Sequence, residues 1–233
     1  MYARFLIPAL FAGAAAGLVA GLLILFFVQP VLLHAELYES GALVHFGPDK
    51  AATAHPDLPG FDPVRDGLSV IFSMLTYTGY ALILIAAMGL AEDRGARIDG
   101  RTGLLWGVAG FIAFHLAPGF SLAPEVPGVA AGDLTARQIW WFATAGVSAL
   151  ALWLIAFGSG WGVWGLAVLL LLAPHVIGAP QPDVFAGTVP PELASLYAAR
   201  ALGVGLAAWV MLGCFAGHFW QREGAEAEAA AKV

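Results

Sequence analysis

Six histidines and a scatter of carboxylates are the residues of this chain best able to do chemistry. His34, His115 and His175 each stand near one end of a long uncharged segment. His45 and His55 lie in the loop after the first segment, and His218 near the end of the last. Close to the first three come Glu36 and Glu39, then Glu125, then Asp183. Imidazole with carboxylate suits borderline divalent metals such as cobalt, nickel and zinc. An acidic vestibule would also raise the local concentration of cations. A lone histidine at a helix end is more often hydrogen-bonded or interfacial than a ligand. Glu36 and Glu39 have the alternative of simply ending an apolar span. The arrangement carries more than any member of it.

The elements that place these residues must be membrane spans. Of 233 residues, 60% are hydrophobic and 11% charged, whereas soluble domains carry roughly 25% charged residues. A helix needs about 20 mainly apolar residues to cross the hydrocarbon core. The apolar runs predict an all-α bundle of about six spans, near 5–28, 67–91, 103–118, 139–157, 161–178 and 195–220, the last with Arg200 near its outer end. They form one transmembrane domain over 1–222, with an external loop at 29–66 and a cytoplasmic tail at 223–233. The first run is too long for the core of a cleaved signal peptide. Between Gln138 and Pro182 there is no Asp, Glu, Lys or Arg, and Gly158-Ser159-Gly160 is the expected break. Pro118-Gly119 should stop the short third span, which has a re-entrant alternative.

Lys and Arg set the orientation. Arg4, Arg94, Arg97, Arg101, Arg222 and Lys232 fall on one side, which is therefore expected to be cytoplasmic with both termini; Lys50, Arg65, Arg137 and Arg200 fall on the other. His34, His115 and His175 then share the external side with most of the acidic residues. Gly13, Gly17 and Gly21 form a stripe that lets helix backbones approach. Trp140 and Trp141 at one end, and Phe219 and Trp220 at the other, fit interfacial aromatic belts. The single Cys214 excludes a disulfide framework. The net charge of −6 argues against nucleic acid as a partner. There is no HExxH, GxSxG, phosphate loop or CxxC, so the chain does not read as an enzyme. No loop is long enough for a nucleotide-binding domain.

Four stretches coincide with one family pattern: Pro30 to Glu39, including His34, Glu36 and Glu39; Trp106 to Pro118; Pro124 to Gly128 with Arg137 to Trp141; and Pro174 to Pro180, including His175. In order and spacing they resemble the CbtA-type cobalt transporter subunit of bacteria along nearly the whole chain. The resemblance implies a cobalt-uptake permease component tied to cobalamin synthesis. It also implies a small single-span CbtB-type partner with a histidine-bearing tail, and a multi-pass place in the inner (plasma) membrane. It marks Glu36, Glu39, Pro124, Glu125, Arg137, Trp140, Trp141, Pro174 and His175 as signature positions without making any of them a ligand.

The combined expectation is a subunit that captures a divalent cation, cobalt with nickel as the alternative, at an external mouth. No permanently bound cofactor is expected. Glu36, Glu125 and His175 are the first candidate ligands, Glu39 and His34 stand behind them, and His115 lies one step deeper. Arg137 is awkward beside a cation and is expected to pair with a carboxylate such as Glu125. Two readings compete: a membrane-embedded metal-dependent enzyme using the same cluster, and an assembly subunit held by the Gly13–Gly21 face.

Overall fold

The computed structural model describes residues 2–45 and 53–230. Its elements are α1 (Tyr2–Leu23), α2 (Gln29–Glu39), α3 (Pro63–Glu92), α4 (Gly100–Phe111), α5 (Ala117–Ser121), α6 (Leu134–Phe157), α7 (Trp161–Ile177) and α8 (Pro191–Ala230). Short π-helical segments, Ile24–Val28 and Ile112–Leu116, join α1 to α2 and α4 to α5. Among the described residues the only β-type pairing is an isolated bridge, Val129 with Gly187. Five helical stretches are long and apolar enough to cross a membrane, and the apolar α7 is shorter. This is an all-α, multi-pass membrane protein.

The helices outrun the expected spans. The first continues through the π segment to Glu39, so 29–39 is helix and not loop. Pro118 does not stop the third helix, which ends at Ser121. The last helix continues to Ala230, past the expected start of the tail. The two π segments share a cause. Pro30 and Pro118 each stand second in the helix that follows. Proline has no N–H to donate, and its ring clashes with the carbonyl four residues back. A π turn widens the backbone at that point and relieves both.

The chain divides into two compact units. In the first (Met1–Leu25, Phe61–Phe111, Val204–Val233), α1 lies backbone to backbone on α3. A Cβ at Gly13 would overlap Thr78 Cα, one at Gly17 would overlap Met74 Cα, and one at Gly21 would stand 2.9 Å from Val70 Cα. A second glycine crossing, missed in the sequence although it has the same four-residue spacing, joins α4 to α8. There Gly103 and Gly107 meet Gly213 and its neighbours, and Gly217 lies on Asp99.

Polar contacts close the helix ends of this unit. Asp99 accepts from the backbone N–H of Thr102 (2.8 Å) and of Arg101 (3.0 Å), while its own N–H donates to Thr102 Oγ1. With Thr102 the largest influence and Arg97 a lesser one, its carboxyl is held below the ordinary aspartate value. Glu92 takes hydrogen bonds from Arg4 Nη2 (2.5 Å) and Trp220 Nε1 (3.0 Å), and the Arg4 guanidinium stacks 4.6 Å from the Trp220 ring centroid. Trp220 is only 1% exposed. It is a buried tie between α1, α3 and α8, where the sequence suggested an interfacial belt.

The second unit (Phe26–Gly60, Ile112–Gly203) contains α2, α5, the α6–α7 hairpin and the start of α8. The hairpin turns at 158–160, between the end of α6 and the start of α7. Thr144 and Ser148 of α6 are fully buried, and Thr144 Oγ1 returns its proton to the Trp140 carbonyl (2.8 Å). On α7 only Ala167 and Pro174 are buried, as expected of a lipid-facing helix. Arg200 donates to the carbonyl of Phe27 in the first π segment (3.0 Å). That bond satisfies backbone opened by the π turn and explains a cation within a long apolar helix.

The glycine crossings give a paired expectation. Gly17→Ala forces two backbones apart and should cost about 1–3 kcal/mol. Gly79→Ala on α3, where a Cβ meets nothing within 4 Å, should be neutral or stabilise by up to about 1 kcal/mol. Thermal unfolding of the two variants in one detergent checks the contrast; equal effects would contradict it.

Candidate functional site

All six sequence-selected candidates, His34, Glu36, Glu39, His115, Glu125 and His175, lie in the second unit. A small apolar core places the first group. Val31, Ala35 and Tyr38 on one face of α2 pack with Val126, Val189 and Leu193. The i, i+4, i+7 spacing puts these three α2 residues on one stripe, and Glu36 and Glu39 are left exposed.

Two loops are knit against that helix. Ala130 N–H donates to the Ala186 carbonyl (2.7 Å) and Thr188 N–H to the Gly128 carbonyl (3.1 Å). Gly128 has φ +80°, and a Cβ there would stand 3.1 Å from Glu39 Cβ and 2.9 Å from Thr188 Oγ1. Only glycine combines that conformation with such an approach. The Glu125–Gly128 turn therefore lies directly against the end of α2 that carries Glu39.

Glu125 is not a free carboxylate. Arg137 Nη2 donates to its Oε2 at 2.5 Å, with both side chains partly exposed. The expected pairing is present, and it offsets the negative charge that would attract a cation.

His175 sits near the C-terminal end of α7. Its Nδ1 is 2.8 Å from Ser121 Oγ, and its ring is met edge-on by Phe120 (centroids 5.0 Å apart) and Trp140 (6.1 Å). Trp140 Nε1 donates to the Pro174 carbonyl (3.3 Å), and Gln181 Nε2 to the Ser121 carbonyl (3.3 Å). The imidazole is held at Nδ1 by these elements. Its Nε2 has no hydrogen-bond partner among the described residues. Which of Ser121 and His175 donates depends on the tautomer of the ring. Ser121 and Gln181 were not singled out in the sequence, since a serine after a proline-glycine pair and a glutamine between prolines read as loop chemistry.

His34 is buried on α2, its ring 5.5 Å from that of Tyr38. His115 is half-buried within the second π segment. Of the remaining histidines, His55 and His218 are exposed.

No three His, Cys, Asp or Glu side chains stand together as a metal centre among the described residues. The candidates share one unit, but among the described residues they do not form one coordination sphere. The reason is visible for two: Glu125 is engaged by Arg137, and His175 is anchored among aromatics. What the arrangement offers is a pair of exposed carboxylates, a neutralised third, and the His175 imidazole held at one nitrogen.

A family model described as a probable cobalt transporter subunit (CbtA) matches residues 2–221. No curated protein and no solved structure matches the chain.

For the Glu125–Arg137 pair, a double-mutant cycle with Glu125→Gln and Arg137→Gln should give a coupling of about 0.2–1 kcal/mol, the range for ion pairs that solvent still reaches. Thermal unfolding of the four proteins measures it, and strictly additive effects would show that the pair does not form.

Proposed function

The chain belongs to the CbtA family of probable cobalt transporter subunits, and we propose that it is the membrane subunit that takes the divalent cation from outside the cell. In this reading both termini are cytoplasmic, the protein resides in the inner membrane, and a small CbtB-type subunit completes the transporter. The observation that carries it is the family match over nearly the whole chain. The gathering of the candidate ligands in one compact unit supports it.

The steps follow from the chemistry of these groups. The exposed carboxylates of Glu36 and Glu39 attract the hydrated ion. His175, oriented through Ser121, supplies a borderline nitrogen ligand that favours cobalt or nickel over magnesium or calcium. Glu125 is available as a third oxygen ligand once Arg137 turns away. A site with few fixed ligands suits transport, because an ion held by a closed cage would not leave. An enzyme acting on an anionic substrate would need a free cation at this cluster, and Arg137 is occupied by Glu125.

Uptake of radioactive cobalt by cells expressing the chain with its small partner tests the proposal. Uptake should exceed the empty-vector level. His175→Ala should lower apparent affinity by about tenfold or more, equivalent to about 1.4 kcal/mol, with unchanged membrane expression. Glu36→Gln combined with Glu39→Gln should slow capture most at low ionic strength. Absence of both cobalt and nickel uptake by the unmodified pair would falsify the reading.

A further inference from the structure

The bond from Arg200 to the first π segment does more than satisfy a carbonyl. Arg200 stands on α8 among apolar residues, where a charged side chain is costly to hold. Its Nη1 donates to the Phe27 carbonyl at 3.0 Å, and Phe27 lies in the π segment immediately before α2. Leu193, Tyr197 and Arg200 follow one another at i, i+4 and i+7, so they share one face of α8. Leu193 belongs to the apolar core that holds Val31, Ala35 and Tyr38 of α2, and Tyr197 packs against that core. One face of α8 therefore holds this stretch of chain twice, by apolar packing and by a hydrogen bond from a cation.

The two contacts constrain different things. Apolar packing is non-directional, and a stripe with side chains as small as Val31 and Ala35 leaves a helix room to turn. A hydrogen bond to a carbonyl demands both a distance and an angle. Its place in the π segment makes that demand count. A π turn holds about one residue more than an α turn, and one residue is about 100° of helix rotation. Where the π turn sits therefore decides which side chains of α2 face the core. In the observed register Ala35 and Tyr38 are buried, and Glu36 and Glu39 are exposed. A methionine at position 200 would continue the apolar face at lower cost but could not donate. What the cation adds is the bond.

We propose that Arg200 is a positioning residue for cation capture: by holding the Phe27 carbonyl it fixes the rotation of α2, and with it the outward aim of Glu36 and Glu39. Arg200 acts through the helix backbone and is not itself a ligand, since a guanidinium has no lone pair to give a metal. The task of the two carboxylates rests on the transport reading, whereas the hold on α2 is independent of it.

The test uses the full-length chain in nanodiscs, with Cys214→Ser as background and single cysteines introduced by Ala35→Cys, Glu36→Cys or Glu39→Cys. A water-soluble maleimide should react fast at 36 and 39 and slowly at 35. Arg200→Met should shrink this contrast by about tenfold or more, the weight of one hydrogen bond to a charged group. Arg200→Lys, which keeps a donor, should restore most of it. In cells expressing the chain with its small partner, Arg200→Met should raise the apparent KM for cobalt by about 3–10-fold, again the weight of one hydrogen bond, with little change in maximal rate. Unchanged labelling, which would make Arg200 a snorkelling cation only, overturns the proposal. So does an unchanged KM, or a contrast lost equally in Arg200→Met and Arg200→Lys. Wild-type transport with labelling indifferent to Arg200 removes the positioning role alone. Absent wild-type transport with labelling that responds to Arg200 removes the transport reading and leaves the hold on α2 standing.

Discussion

Backbone contact between helices, made possible by glycine, is the constraint on which the first unit depends. In a bilayer apolar side chains gain little by meeting each other in place of lipid, so helices hold together through close packing and internal polar contacts. Gly13, Gly17 and Gly21 let α1 reach the main chain of α3, and Gly103, Gly107, Gly213 and Gly217 do the same for α4 and α8. At those distances any side chain is a wedge. The Arg4–Glu92–Trp220 contact then fixes the helix ends that the glycines have brought together.

The second unit is built on a different device. Pro30 and Pro118 interrupt two apolar helices, and the π turns before them let each helix continue for about another turn or more. The continuation after Pro30 is α2, which carries His34, Glu36, Tyr38 and Glu39. The continuation after Pro118 ends at Ser121, the residue that anchors His175. Helical backbone thus positions chemistry that a flexible loop would leave loose, which agrees with the general observation that sites on regular elements are the better defined ones.

Much of this was legible in the sequence, and the failures have physical causes. The spans, the hairpin break at 158–160, the Gly13–Gly21 contact face and the Arg137–Glu125 pairing all follow from local pattern: apolar run length, glycine spacing and charge. The extension of the first helix to Glu39 was not legible, because His34, Glu36 and Glu39 after a proline look like the end of a span. The α4–α8 crossing had the same Gly-x-x-x-Gly spacing at both partners and went unread. Trp220 looked interfacial because its ties to Arg4 and Glu92 are with residues far away in the chain. The histidine environments were the least accessible of all. That the His175 imidazole meets Ser121, 54 residues away in the chain, is a long-range fact that spacing alone does not encode.

Cobalt capture by nitrogen and carboxylate ligands of one unit is the central claim, and X-ray absorption at the cobalt edge of the purified, cobalt-loaded chain in nanodiscs addresses it most directly. The expected result is a mixed oxygen and nitrogen shell with imidazole scattering that diminishes when His175 is replaced by alanine. A spectrum of aquated cobalt alone, or a shell dominated by the sulfur of Cys214, would contradict it.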